Sequence, residues 1–130
     1  MRYDFPASLT KDKSGGFLVS FSDLEGCYTD GKTLSEALDN AKDVLNLMLW
    51  DMEERGANIP QASQPDTIRL KKNSFVTFIS ADTLEYRKKY DKKAVKKTLS
   101  IPRWLDTLAT EQNVNFSHVL QNALMKELNV

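Results

Sequence analysis

Cysteine and histidine are almost missing from this chain, with Cys27 and His118 the single examples among 130 residues. One thiol forms no internal disulfide, and one Cys with one His falls short of a structural zinc site. No apolar run approaches the roughly 20 residues that cross a bilayer. Met1-Arg2-Tyr3-Asp4 lacks the apolar core of a signal peptide. Together these absences lead us to expect a cytoplasmic protein with no membrane partner. Also missing are a glycine-rich phosphate loop and any recognisable Ser/His/Asp or Cys/His arrangement, so neither a cofactor nor a catalytic nucleophile is expected. Formal net charge is zero as well. That zero conceals an asymmetry: residues 1–60 hold six Lys/Arg against eleven Asp/Glu, and residues 61–130 hold twelve against seven. An acidic half suits a basic protein, and a basic half suits nucleic acid.

What is present is ordinary globular material, 41% hydrophobic and 28% charged. Residues 2–9 and 17–22 read as strands around the turn-forming Lys13-Ser14-Gly15-Gly16. Asp23 to Gly31 is a glycine-punctuated loop with room for a short third strand. Thr33 and Glu36 have capping-box spacing. Leu34, Ala37, Leu38, Ala41, Val44, Leu45, Met48 and Met52 then mark one buried helical stripe, which Gly56 ends. Residues 57–66 form a surface connection. Phe75 to Ile79 is a strand expected to complete a small sheet covered by the long helix. Asp82 to Tyr90 reads as a short helix, and Lys88-Lys89-Tyr90-Asp91-Lys92-Lys93 as a basic connector.

The most informative stretch is Lys96-Lys97-Thr98-Leu99-Ser100-Ile101-Pro102. It alternates, with Lys97, Leu99 and Ile101 on one face and Lys96, Thr98 and Ser100 on the other. Alone, such a strand leaves its backbone groups unpaired, and the same strand of a second copy would pair them. The resulting ribbon fits the major groove of B-DNA. Trp104, Leu105, Leu108 and Ala109 define a helix after Pro102. Asn113-Val114-Asn115 interrupts it, and Asn115 caps a last helix expected to bury Phe116, Val119, Leu120, Ala123, Leu124 and Leu128. Helices of this length are marginal alone, and so small a module needs an intertwined dimer to bury a core.

In that order of strand, proline, helix, polar break and helix, residues 94–130 resemble the ribbon-helix-helix DNA-binding domain. Residues 2–55 resemble the N-terminal domain of the HicB antitoxins, through the early hairpin, Phe21-Ser22-Asp23-Leu24-Glu25-Gly26-Cys27-Tyr28-Thr29-Asp30-Gly31, and the helix opening at Leu34–Ala41. Residues 57–93 match only loosely. Family members often carry proline where this loop has Ser22 or Glu25. The resemblance implies an α+β protein. Residues 1–90 would be a toxin-binding domain, a small sheet on a long helix like a reduced RNase H fold. Residues 91–130 would be a ribbon-helix-helix dimerisation module. Function would be that of an antitoxin. It would neutralise a HicA-type mRNA interferase by direct binding and repress its own operon by binding operator double-stranded DNA. The expected assembly is a homodimer, or a tetramer if the N-terminal domains also associate.

By the same motif, Lys96, Thr98 and Ser100 would read base edges; the plainer alternative is a solvated strand face. Asn115, Phe116 and Ser117 open the last helix, whose free N–H groups and dipole suit a phosphate. Lys92, Lys93 and Lys97 would add salt-sensitive affinity, although the alternation turns the Lys97 stem toward the helices. His118 is within reach of a phosphate at the start of the last helix, but the plainer reading is an ordinary exposed histidine. Asp23, Glu25, Tyr28 and Asp30 are the candidate toxin contacts, against the alternative of a solvated loop. The RNase H likeness raises nuclease chemistry, which needs convergent carboxylates. Asp4, Asp12, Asp23 and Asp30 are available, but no spacing gathers them, so no enzyme is expected. Three competitors remain: a ribbon-helix-helix repressor with a ligand-sensing N-terminal domain, a residual RNA-cleaving enzyme, and an adaptor without DNA affinity.

Overall fold

The computed structural model describes residues 1–130. Two compact units divide the chain, Met1–Lys93 and Ala94–Val130. In the first, four antiparallel strands, β1 (Arg2–Lys11), β2 (Phe17–Ser20), β3 (Tyr28–Gly31) and β4 (Ser74–Asp82), lie in the order β3-β2-β1-β4. β1 is the centre. It pairs with β2 from Ser8 to Lys11 and with β4 from Arg2 to Thr10. Pro6 is tolerated there because β2 has already ended beside it, so β1 has a neighbour on one side only.

Alternation decides which face is covered. Phe5, Ala7 and Leu9 of β1, Val19 of β2, and Ile79 and Ala81 of β4 are buried. Against them lies the long helix α1 (Leu34–Arg55), through Ala37, Ala41, Leu45 and Leu49. The four-residue spacing of that row keeps it on one side of the helix. Leu49, left out of the expected stripe, belongs to its centre, whereas Leu34 is exposed. Small residues at the start of the row let α1 approach β3 closely. A Cβ on Gly31 would stand 2.3 Å from the Ala37 nitrogen, so only glycine fits. Thr33 caps α1 by accepting from the Glu36 N–H at 3.1 Å, but the reciprocal bond of a capping box is not formed. Gly56 closes the helix in the left-handed conformation, with φ of 65°.

The second expected strand ends at Ser20 rather than residue 22. Residues 21–27 fold into tight turns instead, with Phe21 N–H donating to Cys27 O and Cys27 N–H to Leu24 O. The turns put Phe21, Leu24 and Cys27 into the core and leave Glu25 outside. After the surface connection and β4 comes α2 (Thr83–Tyr90), capped by Asp82, whose carboxylate accepts from the Leu84 and Glu85 N–H groups.

The second unit contains α3 (Arg103–Glu111) and α4 (Phe116–Leu128). Asn113 breaks the chain between them with φ of 55°, and Asn115 caps α4 by accepting from the His118 N–H at 3.0 Å. Two sequence expectations depend on a second copy, which the single chain does not supply. Lys96–Ile101 forms no strand, because the single chain offers its backbone no neighbour to pair with. Phe116, Val119, Leu120, Ala123, Leu124 and Leu128 are not buried, and no residue of this unit is. Two short helices have too little surface between them to enclose a core.

Candidate functional site

Two surfaces of the first unit bear on function. The first is the loop and edge strand expected to contact a toxin. β3 is the outer strand of the sheet, and the pleat turns Tyr28 and Asp30 to its uncovered face. Tyr28 is 71% exposed, and Asp30 and Glu25 are exposed too. Asp23 is different. It is half-buried, and its carboxylate accepts from both the backbone N–H (2.9 Å) and the hydroxyl of Ser63. Its structural task is therefore to pin residues 63–71 to the β2–β3 loop. Asp30 opens onto a groove of about 490 Å3 shared with Asp12, Lys32 and Glu36.

The pinned segment creates the second surface. Between residues 63–71 and the uncovered face of the sheet runs a groove of about 640 Å3. Its floor carries hydroxyls from Ser8, Thr10 and Ser20, and Thr10 is already bonded to Ser74 at 2.6 Å. Tyr28 stands at one side, and Arg69 and Lys71 at another. Sequence reasoning missed these two cations because they fall in the weakly patterned stretch 57–73. Their spacing two apart was the one available signal.

A separate arrangement joins the ends of three elements. Glu53, near the end of α1, accepts from Tyr3 Oη at 2.8 Å, Thr83 Oγ1 at 2.9 Å and Arg87 Nη2 at 3.0 Å. Burial alone would push the Glu53 carboxyl up. The three hydrogen bonds and the guanidinium charge outweigh it and hold the carboxyl below its ordinary range. Burial, then the bond to Glu53, push the Tyr3 phenol up to about 12. Beside this network Trp50 meets Tyr86 edge-on with ring centroids 5.8 Å apart, and the Arg87 guanidinium lies 5.8 Å from the Trp50 ring. The network fixes α2 against α1. The Cys27 thiol is pushed up to about 11 by burial.

Nowhere do three or more His, Cys, Asp or Glu side chains gather so as to hold a metal ion. Asp4 pairs with the Ser80 hydroxyl, and Asp12 caps its own turn through Lys13 N–H and Ser14 Oγ. Lys92 and Lys93 at the end of the first unit, and Lys96, Lys97, Thr98 and Ser100 in the second, lie in the irregular, exposed stretch before α3. The single chain does not sort them into faces, since Leu99 and Ile101 are exposed as well. Asn115, Phe116 and Ser117 stand together at the start of α4, as their spacing requires. The Phe116 ring was expected to pack inward, but the residue is 45% exposed for want of a partner surface. His118 is exposed, with Nε2 3.2 Å from Asn122 Nδ2.

The class is therefore a small mixed α/β protein: a helix-backed, four-stranded antiparallel sheet followed by a separate helical unit. A family profile described as "HicB_like antitoxin of bacterial toxin-antitoxin system" matches residues 5–124. The chain belongs to that family. The chain is 47% identical over 45 residues to the antitoxin HicB of Escherichia coli K12, a match covering 35% of this chain and 31% of that one. A chain of a toxin-antitoxin complex from Streptococcus pneumoniae superposes with a TM-score of 0.64 at 29% identity, covering 98% and 99% of the two chains. The antitoxin HicB of Burkholderia pseudomallei shares the fold, with a TM-score of 0.54 at 22% identity over 97% and 96%.

Proposed function

We propose that this chain neutralises a HicA-type mRNA interferase by direct binding and represses its own operon by binding operator DNA. The observation that carries the reading is the family match across residues 5–124, which takes in both ends of the chain at once. We read residues 1–90 as the toxin-binding domain and 91–130 as a ribbon-helix-helix module. On this reading the first domain is a reduced RNase H-like scaffold without nuclease chemistry. The uncovered apolar residues of α3 and α4 support dimerisation, since Trp104 (65% exposed), Leu108 and Leu124 otherwise face water. Two copies would cover these residues and pair the two Lys96–Ile101 stretches, completing the ribbon.

In that dimer Lys96, Thr98 and Ser100 face the major groove. Phe116 and Ser117 offer backbone N–H groups to a phosphate, beside the Asn115 cap. Lys92, Lys93 and Lys97 add charge. Glu25, Tyr28 and Asp30 meet the toxin, and Asp23 holds their loop in place through Ser63. A tetramer through the first domains would let one assembly grip two half-sites.

The test is fluorescence anisotropy with duplex DNA from upstream of the gene, at fixed salt with excess competitor DNA. Wild type should bind tightly, and Lys96→Ala/Thr98→Ala should lose most of that affinity, each lost base contact being worth about 1–3 kcal/mol at most. Absence of specific binding by wild type, both alone and with its co-purified partner, rules out the repressor role.

A further inference from the structure

We propose that the groove between the uncovered sheet face and residues 63–71 is a binding site for a ribonucleoside phosphate. Its chemistry is that of an anion site with hydroxyls on its floor beside the apolar Leu18, Ile68 and Leu70. Arg69 and Lys71 both line it, and neither forms an ion pair anywhere in the chain. The one carboxylate in the lining, Asp23, is already occupied by the N–H and hydroxyl of Ser63. The charge left for a ligand is therefore positive, within a first unit that carries fourteen Lys/Arg against fifteen Asp/Glu. A bidentate guanidinium beside an ammonium is an arrangement suited to phosphate oxygens.

The rest of the groove matches the remaining parts of such a ligand. The hydroxyls of Ser8 and Ser20 have no partner within the protein and can both donate and accept, as ribose hydroxyls require. The Tyr28 ring, 71% exposed at the border, is a stacking platform for a base. The volume, about 640 Å3, lies within the range of small-molecule sites. Register puts these groups side by side: Ser8 opposes Ser20 across β1–β2, and Ser20 opposes Tyr28 across β2–β3. They form one row on one face. The proposal is independent of operator binding, and it shares Tyr28 with the surface read above as toxin-binding, so it applies to the toxin-free chain. It concerns free nucleotides or single residues of an RNA strand, which share this chemistry.

The experiment is a titration of the full-length, 15N-labelled chain, followed by amide chemical shifts. Probes are the four ribonucleoside 5′-monophosphates, a six-residue RNA and inorganic phosphate. Saturable shifts confined to Ser8, Ser20, Tyr28 and residues 63–71 are expected with the nucleotides. Arg69→Ala/Lys71→Ala should weaken them about tenfold, while Lys96→Ala/Thr98→Ala leaves them unchanged. Monophosphates binding as well as the RNA identifies free nucleotide as the source, and RNA alone identifies the strand; either supports the site. Inorganic phosphate binding as tightly as the nucleotides overturns it, because base and ribose then contribute nothing. Shifts that appear only at the lysines of residues 88–97, or survive in the Arg69→Ala/Lys71→Ala variant, overturn it too.

Discussion

Glu53 has three donors converging on its carboxylate, Tyr3, Thr83 and Arg87, drawn from β1 and α2. A carboxyl held below its ordinary value favours the folded state wherever it is ionised there and would be partly protonated in the unfolded chain. Its contribution is therefore present above the ordinary glutamate range near about pH 4.3 and is lost as pH falls through the folded value. Glu53→Gln keeps a hydrogen-bonding group and removes the charge, so we expect about 1 kcal/mol less stability at pH 7. It should also flatten the acid limb when urea melts are compared between pH 3 and 7. The tyrosines act at the other extreme. Tyr3 and Tyr86 are pushed up to about 12, each by burial first and then by the bond to Glu53 or Asp43. Both favour the folded state while protonated, so stability should fall from about pH 10 toward 12. Ultraviolet titration should show phenolate appearing together with unfolding, and Tyr3→Phe should remove part of that alkaline loss.

At the scale of elements, the position of α1 on the sheet depends on two glycines that do different things. Gly56 needs its left-handed backbone, but a Cβ there would meet nothing within 4 Å. Gly56→Ala should cost only about 1 kcal/mol of conformational strain. At Gly31 the backbone is unstrained, yet a Cβ would collide with Ala37 at 2.3 Å. Gly31→Ala must push α1 away from β3 and should cost about 3 kcal/mol or prevent folding. Thermal melts of the two variants should separate these costs. Both helix ends were readable locally, from Thr33 and from Gly56, because caps are made by residues adjacent in sequence. The close approach at Gly31 was not, because its cause sits in a different element.

Taken whole, the molecule is unevenly complete. Residues 1–93 enclose a core, while residues 94–130 bury nothing and leave Trp104, Leu108, Phe116, Leu124 and Leu128 in water. If a second copy supplies the missing surface, the stability of this unit depends on protein concentration and that of the first does not. Raising the concentration a hundredfold should move a helix-unfolding transition upward by several degrees and leave the sheet transition in place. Leu124→Asp should abolish the shift. A transition independent of concentration would show the second unit to be folded without a partner.

The amino-acid sequence by itself determined the parts whose causes are local or periodic. These are α1 with its caps, the β1–β2 hairpin, β4, and the polar break at Asn113–Asn115 that starts α4. It also placed Asn115, Phe116 and Ser117 together, since neighbours at a helix start need no fold to meet. Tertiary structure alone decided which carboxylates are free and which are used. Asp23 looks like Asp30 in the sequence, but Ser63, forty residues away, claims it. It likewise decided that Arg69 and Lys71 face a row of serines and that Glu53 joins β1 to α2. Periodicity reports which face of an element is buried; the partner that face meets depends on chain crossings that no local pattern encodes.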